Sequence, residues 1–172
     1  TSSAYLLLKS VAAEYASVAQ DGLNNPRQIS PERTMIAPAI NVRLDKPLHT
    51  VTVDAMGQFG QDGEQSIRAW QLAWVSSHAL DMLGEPSLRL TAEQSSGDCD
   101  AASCDDGVNS YFDPLYGKHH GLRGMADQAY GSNLRDLAVG FGLKPEPRVR
   151  MTTDLHVFSL TNPKGLWMRN GA

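Results

Sequence analysis

The residue types best suited to chemistry gather in the C-terminal third of the chain. His119 and His120 are adjacent, Asp127 follows seven residues after His120, and Asp154 and His156 stand two apart in VRMTTDLHVFSL (149–160), a segment of strand composition. Period-two geometry places Asp154 and His156 side by side on one strand face. A catalytic zinc site takes three protein ligands from His, Asp or Glu, a water in the fourth position and a nearby group to move protons. His120, Asp127 and His156 have the right types for the ligands, and Asp154 for the base. Zinc would lower the pKa of its water toward ~7 and polarise an amide carbonyl, while Asp154 would carry the water proton to the leaving nitrogen.

HGLRGMAD (120–127) has a His-x6-Asp spacing with Gly124 and Ala126 inside it, and DLHV (154–157) follows downstream. In these two motifs, over roughly residues 64–160, the chain resembles the zinc metallopeptidases that include D-alanyl-D-alanine carboxypeptidases, L-alanyl-D-glutamate endolysins and the hedgehog-like fold. The resemblance implies a zinc-dependent hydrolase acting on peptidoglycan peptides. Lys118 stands where that family usually has serine, and Arg123 where it usually has glycine. Without metal, residues 121–141 read as one broken amphipathic helix. Leu122, Met125, Ala126, Ala129 and Tyr130 would then face a core, and Asp127 would face solvent.

Elements that would hold such a site follow from periodicity. Residues 3–19 read as an amphipathic helix through Tyr5, Leu8, Ala12, Tyr15 and Ala19, and 64–83 as another through Ile67, Trp70, Trp74 and Leu80, stopped by Gly84 and Pro86. A short helix is expected from Ser132 to Val139. Strands are expected at 48–53, 87–93 and 149–160, with 166–170 as a further pairing segment. Pro26, Pro31, Pro38 and Pro47 punctuate residues 23–47, which therefore read as an extended arm. The sum is an α+β fold: a small antiparallel sheet with helices on one face, an N-terminal helix and arm over 1–60, and a compact unit over 61–172.

Cys99 and Cys104 lie in the polar stretch SSGDCDAASCDDGVNS, where they would bridge in an oxidising periplasmic or extracellular setting and stay as thiols in a cytosolic one. Both states remain open. A cysteine hydrolase is a weak reading, because the surrounding aspartates disfavour the thiolate. The acidic loop has no EF-hand spacing. Gly57, Gly60 and Gly63 do not form a phosphate cradle.

With 15 basic and 19 acidic side chains in 172 residues, net charge −4, the chain has no positive field for a nucleic acid. Apolar runs such as Tyr5–Leu8 fall far short of the ~20 residues of a membrane helix, and TSSAYLLLKS has no signal-peptide pattern, so a soluble mature chain is expected. The rival functional class is a structural or assembly subunit of a virion, tail or filament, using the 23–47 arm for contacts between copies.

Overall fold

The computed structural model describes residues 2–11, 33–99, 107–114, 131–146 and 148–165; side chains are described from residue 33 onward. Its elements are β1 (Ser2–Val11), β2 (Arg33–Lys46), β3 (His49–Asp62), β4 (Gln65–Ala79), β5 (Ser87–Ser95), β6 (Val108–Asn109), β7 (Leu134–Glu146) and β8 (Val149–Leu160). They form one sheet in the order β1-β2-β3-β4-β5-β7-β8, with every neighbour on that path antiparallel. The short β6 lies parallel to β4 at Ser66 and Ile67. It flanks the part of β4 that β5 leaves uncovered, since β5 pairs with β4 only from Gln71 to Ala79.

This overturns the α+β expectation: among the described residues every regular element is a strand. The segment expected as a helix over 64–83 is β4. Trp70 and Trp74 are four residues apart, an even number, so they share a strand face as readily as a helix face. Leu72 joins them on the outer face, while Ile67, Ala69 and Ala73 are buried on the inner one. With apolar residues on both faces, the period of two is disguised. Likewise 132–139 belongs largely to β7, and residues 3–11 of the helix expected over 3–19 lie in β1. The segments expected as strands at 48–53 and 87–93 lie in or overlap β3 and β5, and β8 has the expected limits, 149–160. Residues 12–32 and 166–170 lie outside the described residues.

The second half of the proline-punctuated arm is β2. Pro38 is accommodated because the β2–β3 ladder lapses at Ala37 and Pro38, between the Ile36–Phe59 and Ala39–Met56 pairs. Proline has no N–H to give a ladder. The side chain of Pro38 is exposed on the outer face.

The two ends of the sheet differ. At one, β2 and β3 are joined by residues 47–48, β4 and β5 by 80–86, and β7 and β8 by 147–148. At the other, β1 and β2 are joined by 12–32, β5 and β7 by 96–133, and only β3 and β4 by a tight turn, where Gly63 takes the positive φ of 61° that a two-residue hairpin requires. These are called the turn side and the loop side below.

Candidate functional site

Alternation along the strands creates two faces of opposite character. On β2, Arg33, Met35, Ala37 and Ala39 are buried, while Thr34, Ile36, Pro38 and Ile40 between them are exposed. The outer face continues across the ladder as a row of Val42, Val53, Trp74, Ala92, Leu137 and Val157, each the register partner of the next. Ile40, Leu72, Val139 and Leu155 are between 48% and 72% exposed in the neighbouring rows. The buried inner positions, by contrast, include Arg33, Gln58, Thr91, Glu93, Ser95 and Asp136. A water-soluble protein distributes these residue types the other way round.

The apolar band runs obliquely to the ladder. At the loop side it ends at Ile36 on β2 and Phe59 on β3, which are register partners, then at Trp70 on β4, before Arg68. On β5, β7 and β8 it ends lower, at Ala92, Leu137 and Val157, before Gln94, Arg135 and Ser159. Across the wall the two edges of the band shift by about four to six residues, or roughly 13–20 Å at ~3.3 Å per residue, over about 24 Å of sheet. That corresponds to strands tilted roughly 30–40° from the normal of the band, near the ~35–45° of closed barrels. From Ile36 to Leu44 the band extends about 26 Å along β2, and about 21 Å once tilted, close to the ~25 Å band of outer-membrane barrels.

The inner face is held by paired polar groups. Arg33 lies 3.8 Å from Asp62 and 3.5 Å from Asp113. Gln58, fully buried, donates from Nε2 to the Asp113 carbonyl at 2.5 Å and accepts the Asp113 backbone N–H at 2.8 Å. This amide clasp imitates a strand pairing and draws the segment 107–114 onto the inner face, where Phe112 is buried. Gln71 donates to Glu93, and Asn41 donates to Asp54 at 2.5 Å. At the loop side, Asn133 is buried with a φ of 54°. Its N–H donates to the Ser96 carbonyl, and its side chain exchanges two hydrogen bonds with the Asn162 backbone, closing the mouth of β5, β7 and β8.

The structure confirms the adjacency of Asp154 and His156 but gives them separate partners. Asp154 makes a 2.7 Å ion pair with Arg89, and His156 Nδ1 lies 3.0 Å from the buried Asp136 carboxylate while its ring stacks on Phe158. His120 and Asp127 lie outside the described residues, and among the described residues no cluster of His, Cys, Asp and Glu could hold a metal ion. Cys99 is disulfide-bonded; Cys104, the other cysteine of the chain, lies outside the described residues. The backbone N–H of Cys99 and that of Ser110 donate to the two carboxylate oxygens of Asp98, which ties the ends of that loop together.

Gly140 and Gly142 on β7 leave space on the inner face. A Cβ on Gly140 would collide with the Asp154 carboxylate, and one on Gly142 would come 2.5 Å from Ser87 Oγ. The space they leave is part of a recess of about 350 Å³ at the turn side, lined also by Lys46, Arg89, Lys144, Arg150, Thr50, Ser77 and Thr152.

A tilted antiparallel wall with an apolar exterior and a polar, ion-paired interior has the pattern of a transmembrane β-barrel, which meets lipid outside and water inside. A family model described as alginate export matches residues 13–169, and the chain belongs to that family. Neither the curated proteins nor the solved structures contain a match to it. Membership in this family corrects the resemblance to zinc metallopeptidases, and with it both the peptidase and the virion-type subunit expected from the sequence. The His-x6-Asp spacing is short enough to arise without a shared ancestor. No helix among the described residues is long and apolar enough to cross a membrane; that criterion, which underlay the expectation of a soluble chain, does not apply to strands.

Proposed function

We propose that this chain forms part of the wall of an outer-membrane channel that conducts an acidic polysaccharide of the alginate type. The single observation that carries the reading is the oblique apolar band on the outer face, set against a buried polar inner face and combined with the family match. In bacterial barrels the short turns face the periplasm and the long connections face outward. The turn side, with links 47–48, 80–86 and 147–148, is then periplasmic, and the connections 12–32 and 96–133 are extracellular. The disulfide at Cys99, on the loop side, fits an oxidising location.

The inner face suits a hydrated, charged chain because its own charges are fixed in pairs such as Arg89–Asp154 and Arg33–Asp62, which offer hydrogen bonds without a large apolar surface to hold the solute. The test is reconstitution of the full chain into vesicles. Trp70 and Trp74, both outward, should be quenched by brominated acyl chains, and the vesicles should release entrapped oligouronate faster than a neutral oligoglucan of equal length. Absence of quenching, or equal release of the two sugars, would overturn the reading.

A further inference from the structure

The outer face is not level. On β3 the outward positions Ala55 and Gly57 are small, while their neighbours across the ladder are bulky: Pro38 and Ile40 on β2, Trp70 and Leu72 on β4. Between them lies an open, apolar groove of about 520 Å³ that follows β3. Phe59 leans back over Gly57, where an added Cβ would come 2.9 Å from its ring. Arg68, the register partner of Phe59, stands two residues beyond Trp70 on β4, about 7 Å further toward the loop side at ~3.3 Å per residue. Its side chain is exposed and makes no hydrogen bond or ion pair with any described residue. The groove thus runs in the apolar band and ends beside an unpaired cation at the band's edge.

We infer that the groove and Arg68 together bind a phosphate-bearing acyl lipid of the extracellular leaflet, with an acyl chain along β3 and the phosphate on the Arg68 guanidinium; the inference rests on the lipid-facing wall and the orientation proposed above. The volume falls within the ~300–1,000 Å³ range of small-ligand sites. An apolar groove alone would accept any acyl chain, so the charge makes the selection. Among the described strand positions, the outward residues beyond the band on the loop side are uncharged, such as Gln61, Ser66 and Gln94, or basic, Arg68 and Arg135; none is acidic. No neighbour on that rim neutralises Arg68, and its planar fork matches two phosphate oxygens through parallel N–H donors. Gln61 and Ser66, a register pair at the next outward positions, supply hydrogen-bonding groups for the rest of the headgroup. Arg135 is equally exposed and unpaired, but the outward residue below it is the bulky Leu137 rather than a groove. It is a bare charge on the same rim and therefore the natural control.

The experiment uses the full chain carrying Trp74→Phe and Trp167→Phe, which leaves Trp70, in the groove wall, as the one indole. It is reconstituted at low salt into vesicles containing brominated phosphatidate or brominated phosphatidylcholine with identical acyl chains. Phosphatidate should quench Trp70 at about 5-fold lower mole fraction, the factor that one basic side chain at a membrane surface contributes. Arg68→Gln should remove this preference, Arg68→Lys should keep part of it, and Arg135→Gln should leave it unchanged. Ala55→Phe should remove it by filling the groove, with circular dichroism reporting that the sheet is retained. Inorganic phosphate should not compete. Equal quenching by the two lipids, a loss with Arg135→Gln as large as with Arg68→Gln, or displacement by inorganic phosphate would overturn the site. Those results leave the contact between wall and acyl chains standing, whereas no quenching by either lipid would remove the channel-wall reading and the site together.

Discussion

The two faces of the wall are built from the same strands yet obey opposite rules. Outward positions of β2 through β8 are varied in shape and mostly apolar across the band, with the uncharged Ser76 and Thr153 as small polar exceptions, and they touch little protein: Leu137 is 53% exposed and Leu155 72%. Inward positions mix polar groups, small residues and glycine with a few buried apolar side chains such as Met35 and Ile67, and several fix a particular neighbour: Gln58 holds Asp113, Asp136 meets His156, and Gly140 makes room for the Arg89–Asp154 pair. The outer face is therefore specified by solvent and the inner face by contacts. An outer position tolerates any apolar shape but no charge, and an inner position tolerates charge but not a change of fit.

The largest expected effect is a charge placed in the middle of the band. Leu137→Arg, in the row that runs from Val42 to Val157, should destabilise the folded chain in vesicles by about 2–4 kcal/mol in urea unfolding. Asn41→Arg, facing Asp54 on the inner side, should cost less than about 1 kcal/mol, because lumen substitutions keep access to water and here to an acidic partner. Equal costs at the two positions would erase the distinction between the faces. Next, Gly140→Val should cost about 1–3 kcal/mol by overpacking, since its side chain must displace the Asp154 carboxylate. Gln58→Ala removes two hydrogen bonds to the Asp113 backbone, about 2 kcal/mol together, and should accelerate amide exchange in 107–114 while leaving β2 and β3 protected. The smallest effect belongs to Lys144→Gln. Its pairing with Glu85 is exposed, so thermal stability should move by no more than about 1 kcal/mol and less in high salt.

How far the sequence alone discloses this arrangement depends on which face dominates a segment. VRMTTDLHVFSL discloses β8 with its true limits, because β-branched residues and clean alternation leave no helical alternative. SLRLTAE overlaps β5 for the same reason. In β4, alanines on the inner face make both sides look apolar, and Trp70 and Trp74 fit a helical turn as well as a strand. The deeper obstacle is the sign of the pattern: alternation says that one face is apolar without saying whether it meets a protein core or lipid. Read against a core, the pattern gives helices packed on a sheet, while the two-residue spacing of Asp154 and His156 marks them as candidates for a site on either reading. They do line the inner face together, but Arg89 and Asp136, which define their roles, come from β5 and β7 and are not adjacent to them in sequence. The recess was hidden for a related reason. Gly140 and Gly142 follow directly on the segment expected as a helix over 132–139, where glycine is an ordinary stop, and their meaning as missing side chains appears only when β5 and β8 flank them.

Among the described residues the sheet is open along β1 and β8, and its path from one to the other alternates direction at every step. The two free edges consequently point the same way along the wall. Bringing them together directly would create a parallel seam, so a cylinder that stays antiparallel throughout needs an odd number of additional strands between β8 and β1, whatever polypeptide supplies them. A rotation about an axis lying in the membrane plane cannot supply them, because it would turn a second copy upside down. Parity thus restricts how this wall becomes a pore before any residue at the seam is considered.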